Sequence, residues 1–68
     1  MIHFSCKKTG REITIPDLFS LTQTKLNQAK EENLPSIIDF IVTTNKGMIC
    51  IVAMHEDDSV SIFKQLTN

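Results

Sequence analysis

His3, Cys6, Cys50 and His55 are the soft metal ligands of this 68-residue chain, and four such side chains suffice to hold zinc. Their spacing argues against a shared site. His3 and Cys6 stand three positions apart and Cys50 and His55 five, and on an extended strand an odd offset sends two side chains to opposite faces. At most the two thiols could meet on one side of a sheet and the two imidazoles on the other. No second cysteine near Cys6 completes a zinc knuckle, so neither a metal nor any other cofactor is expected.

Nucleophilic chemistry needs a thiol or hydroxyl with a base in reach and a third group to orient the base. Cys50 lies between Ile49 and Ile51 in the middle of an apolar run, where inert core thiols sit. The adjacent carboxylates Glu31-Glu32 and Glu56-Asp57-Asp58 fall near a helix end and in a turn, where solvated charge is the ordinary state. With two glycines in the chain, no phosphate-cradling loop can be built. The expectation is a protein that is not an enzyme and takes no small-molecule substrate.

Two charged tips remain. Lys7, Lys8 and Arg11 cluster in one turn, and a β-ribbon tip of this kind could make salt-dependent contacts to nucleic-acid phosphates. Against that, the chain has no Tyr or Trp, its four Phe read as core, and its net charge is −1. Nucleic acid is therefore the secondary reading. The acidic tip at Glu56–Asp58 could face a basic partner, although turns use Asp for local hydrogen bonding as well.

The elements that must position these groups follow from periodicity. Residues Ile2 to Lys7 alternate, with Ile2, Phe4 and Cys6 pointing one way, and Glu12 to Ile15 supply a second short strand with Ile13 and Ile15 inward. Pro16 and Asp17 mark a helix start, and Asn33-Leu34-Pro35 mark its end. The spacing predicts one amphipathic helix over about 16–33, with Leu18, Phe19, Leu21, Thr22, Leu26 and Ala29 on its apolar arc. Val60 to Leu66 reads as a last strand, in a register that could place either Phe63 or Val60 and Ile62 beside Val52.

The stretch from Ser36 to Ala53 organises the rest. It is β-branched and apolar on both sides of Thr43-Thr44-Asn45-Lys46-Gly47, which predicts a hairpin. A three-residue loop of Asn45, Lys46 and Gly47, with Gly47 left-handed, would set Val42 opposite Cys50, Phe40 opposite Val52 and Ile38 opposite Met54. The other face would then carry Ile37, Asp39, Ile41 and Thr43 beside Ile49, Ile51, Ala53 and His55. Both faces of such a hairpin are greasy, and one helix covers only one.

The fold class expected is therefore a single small α+β domain over 1–68, in ββαβββ order, with an antiparallel sheet and one amphipathic helix packed on one face. Its second face could be closed by the N-terminal hairpin, by another copy of the chain, or by a different protein. Apolar patches of more than a few hundred Å² usually mark contact surfaces. A non-catalytic protein-binding module is the leading expectation, acting as a homodimer or as a small inhibitor or accessory protein through a sheet face or edge strand. Ile37, Asp39, Ile41, Ile49, Ile51 and His55 are its candidate partner-binding residues. Asp39 needs either solvent or a cation beside it. The start of the chain lacks signal-peptide character, no run is long enough to span a membrane, and two isolated cysteines suit a reducing compartment, so a cytoplasmic location is expected. The small size would suit an accessory protein of a phage or other mobile element.

Overall fold

In a computed structural model that describes residues 1–67, the chain forms one five-stranded antiparallel sheet and a short helix, an α+β arrangement. The strands are β1 (Ile2–Cys6), β2 (Glu12–Ile15), β3 (Ile37–Asn45), β4 (Met48–His55) and β5 (Val60–Gln65). In space they run β2-β1-β5-β4-β3, so the last strand lies between the two hairpins and joins them. The N-terminal hairpin thus extends the sheet through β1 against β5 and does not fold over either face.

The predicted helix over 16–33 is not continuous. Its place is taken by a 3₁₀ turn (Leu18–Ser20) and a five-residue helix, α1 (Gln23–Asn27). The reason is local competition between side chains and backbone. Asp17 accepts the N–H and hydroxyl of Ser20, Leu21 is extended, and Thr22 accepts the N–H of Lys25 and so starts a new helix. Part of the expected apolar arc therefore faces water. Leu21, Leu26 and Ala29 enter the core, whereas Leu18 is half exposed and Phe19 is 99% exposed.

One face of the sheet carries the core. Phe4, Cys6, Ile13, Ile15, Ile37, Ile51, Ala53 and Phe63 are buried in one cluster with the three helical-segment residues. Each large aliphatic or aromatic side chain so buried contributes roughly 1.5–3 kcal/mol relative to exposure. The connection from the helix is fastened at several points. Lys30 Nζ donates to the carbonyls of Glu31 and Leu34, and Thr9 Oγ1 donates to the Ala29 carbonyl at 2.8 Å.

The central hairpin differs from expectation by one residue. Asn45 pairs with Met48, leaving a two-residue turn in which Lys46 and Gly47 both have positive φ, 53° and 79°. This mirror-image turn matches the twist of the strands it joins. Thr43 therefore faces Cys50, Val42 faces Ile51, Ile41 faces Val52 and Phe40 faces Ala53. A bulge between Ile37 and Asp39 inserts Ile38 as an extra residue, which returns Ile37 to the side of Phe40 and opposite His55. From Asp39 onward the alternation within β3 holds, as it does along β4, but β3 is turned over relative to β4. For β5 the structure selects the register with Val60 opposite Met54 and Ile62 opposite Val52, closed by a loop in which Asp58 takes φ 68°.

Candidate functional site

With β3 in its observed register, the sheet's second face is built from two cross-strand rows. Ile41, Val52 and Ile62 form one, extended by Lys7, whose N–H donates to the Ile62 carbonyl. Asp39, Met54 and Val60 form the next. Beyond Ile41 lies a mixed row of Thr43, Cys50, Lys64 and Ser5. Ile41 is 62% exposed, Val60 50% and Met54 44%, and no segment among the described residues lies across them. A shallow depression of about 80 Å³ sits between Asp39, Ile41, Val52, Met54 and Val60.

The expected partner-binding residues are divided by this geometry. Ile41 and Asp39 lie on the open face. Ile37 and Ile51 are buried on the helix side, Ile49 is partly covered there, and His55 is fully buried. The turn is one residue shorter than the spacing suggests, and this offset sets Val52 and Met54 on the open face beside Ile41 in place of Ile49 and Ile51, while the bulge at Ile38 takes Ile37 to the core side. Asp39 sits in the open patch, where no cation among the described residues pairs with it, and its Oδ1 accepts the Phe40 N–H at 2.8 Å.

His55 has a different role from the one its position on the apolar strand suggests. Its Nδ1 lies 2.6 Å from the Pro35 carbonyl and must carry the proton there, because a carbonyl only accepts. Nε2 lies 2.7 Å from Ser61 Oγ, which then donates to it. A hydroxyl, an imidazole and an orienting carbonyl in line resemble the parts of a nucleophilic dyad. Ser61 is 3% exposed and His55 0%, so as folded the pair meets no solvent, and it serves as an internal strut between the helix-to-β3 connection and β5. Sequence spacing could not reveal it, since the partners belong to adjacent strands and a distant proline.

The four soft ligands are dispersed. Cys6 and His55 are buried on the helix side, while Cys50 and His3 belong to the opposite face, where His3 Nδ1 pairs with Thr14 Oγ1. Among the described residues, no three His, Cys, Asp or Glu side chains stand close enough to share a metal. No helix among them is long and apolar enough to cross a membrane.

The basic tip is also divided. Arg11 makes an ion pair with Glu32 at 3.4 Å, on the side of the helical segment. Lys7 and Lys8 border Val60 and Ile62 at the flank of the open face, and Lys64 projects from that face. At the acidic turn, the Ser59 hydroxyl and then its N–H donate to Asp57 and hold its carboxyl below the usual carboxylate range. No family model, curated protein or solved structure matches this chain.

Proposed function

We propose that this protein is a non-catalytic binding module of the cytosol, a strand-strand-helix-strand-strand-strand fold whose helical segment shields one side and whose other side docks on a larger protein. The supporting observation is the uncovered apolar pair of rows, Ile41-Val52-Ile62 and Met54-Val60, since contiguous exposed apolar surface of this kind marks contact sites. Charge selects the chemistry of the partner. Lys7 and Lys8 flank the rows on the β1 side and Lys64 stands in the next row along β5, so the complementary surface presents apolar side chains bordered by carboxylates.

The test is replacement of Met54 and Val60 together by Thr, which keeps strand propensity and removes apolar contact. The variant should stay folded by circular dichroism and lose capture of an acidic, apolar-faced partner, while Phe19→Ser leaves capture unchanged. Equal capture by the Met54/Val60 variant and the parent would refute the reading. The same three lysines favour a second reading, phosphate contact with nucleic acid. Under that reading Lys7→Glu with Lys8→Glu should abolish salt-dependent binding to a DNA or RNA duplex, whereas the Met54/Val60 variant should bind the duplex unchanged.

A further inference from the structure

The outer edge of β3 is capped for half its length and bare for the other half. In a hairpin with a two-residue turn, the residues flanking the turn exchange backbone bonds, so Asn45, Thr43, Ile41 and Asp39 face β4 and the alternate residues Thr44, Val42 and Phe40 point off the sheet. Near the start of β3, side chains occupy that edge. Asn27 takes both the N–H of Ile37, at 2.7 Å, and its carbonyl, at 3.3 Å; Gln23 donates to the Ile38 carbonyl; and Asp39 accepts from the Phe40 N–H. Among the described residues nothing caps Val42 or Thr44 in this way. Every residue from Ile41 to Asn45 is exposed, Val42 at 43%. An exposed edge with free backbone donors and acceptors is a template for another strand.

We infer that the occupant is a second copy of this chain, joined antiparallel through β3 so that Val42 meets Val42 of the copy across a two-fold axis perpendicular to the sheet. The edge is self-complementary in charge. Asp39 lies near one end of the bare segment and Lys46 at the other, and antiparallel pairing centred on Val42 sets Asp39 opposite Asn45 of the copy, beside its Lys46. Parallel pairing would set like against like. In this register Phe40 bonds Thr44 of the copy, so the Phe40 N–H leaves Asp39, and the freed carboxylate turns to the lysine. A perpendicular axis keeps both helical segments on one side and both open faces on the other, which doubles the docking surface proposed above. The inference builds on that surface but does not require its partner to exist.

Pairing along one short edge is a small interface, so mass should rise from one chain to two with concentration in sedimentation equilibrium of the full chain. Val42→Pro removes an outward N–H at an edge position that tolerates proline, and with it the central bonds of the pair. It should weaken dimerisation at least about tenfold, in line with the net worth of two hydrogen bonds, without altering the circular dichroism spectrum. Lys46→Asp should weaken it too, and Lys46→Asp combined with Asp39→Lys should restore it, which a general loss of folding would not do. A parent that stays monomeric throughout the series overturns the inference, as does a dimer indifferent to both Val42→Pro and Lys46→Asp. A dimer lost instead in the Met54/Val60 variant would show face-to-face packing and also overturn it. Partner capture by a monomeric parent would leave the proposed function standing, whereas an intact dimer with no capture would remove that function alone.

Discussion

Replacing His55 by Leu tests how much the internal strut contributes. The imidazole is fully buried and bonds the Pro35 carbonyl at 2.6 Å and Ser61 Oγ at 2.7 Å. Leucine fills similar space and offers neither bond, which strands one carbonyl and one hydroxyl. Each stranded group costs about 1–3 kcal/mol, so His55→Leu should destabilise by roughly 2–6 kcal/mol. A chain of this length has on the order of 3–10 kcal/mol in total, so the change should remove a large part of it. Ser61→Ala in the same background removes the stranded hydroxyl, and the double variant should be about 1 kcal/mol or more less destabilised than the sum of the single changes. Urea unfolding followed by far-ultraviolet circular dichroism is the suitable assay, since the chain has no Trp or Tyr to report by fluorescence. The slope with denaturant should not change. A loss under about 0.5 kcal/mol for His55→Leu, the range of an ordinary surface change, or strict additivity of the two substitutions, would refute the strut.

Other consequences can be measured in the same way. Asn27→Ala should cost about 1–3 kcal/mol by stranding the half-buried N–H of Ile37, and Asn27→Asp should cost less only if the N–H bond outweighs repulsion from the Ile37 carbonyl, which a pair of urea curves will decide. Phe19→Ser should change stability by no more than about 0.5 kcal/mol, because the ring touches water on nearly every side; a large loss would show that the turn packs against the core after all. Asp57 ionises more readily folded than unfolded, so its contribution is present above the ordinary carboxylate value of 3.8 and fades as pH falls through the lower folded value. Thermal melts of Asp57→Ala should accordingly lie below the parent near neutral pH and converge with it in acid.

Much of this arrangement can be read from the chain by alternation alone. Ile2, Phe4 and Cys6, then Ile13 and Ile15, lie where a period of two puts them, and the hairpin around Gly47 forms where β-branched residues stop. What escaped was long-range or competitive. The choice between a two- and a three-residue turn depends on whether Lys46 accepts positive φ, a small cost that strand twist overrides. The bulge at Ile38 is a tertiary event, because Asn27 and Gln23 hold that edge from another segment. The interrupted helix was foreshadowed in Asp17, Ser20 and Thr22, residues that bond their own backbone more readily than they extend a helix. Face assignment suffered most, since one residue of slip between β3 and β4 exchanges Ile51 for Val52 as the neighbour of Ile41.

The place of β5 between the two hairpins bears on how the chain reaches this state. β1 pairs with β2 and β3 with β4, each across a short connection or turn, but within the sheet the two ribbons are joined only through the final strand. Two-state folding slows as contacts become more distant in sequence, and pairing Cys6 with Phe63 spans nearly the whole polypeptide. The sheet is closed only when β5, carrying Phe63, enters between the two ribbons, so the last strand of the chain is the one that unites them.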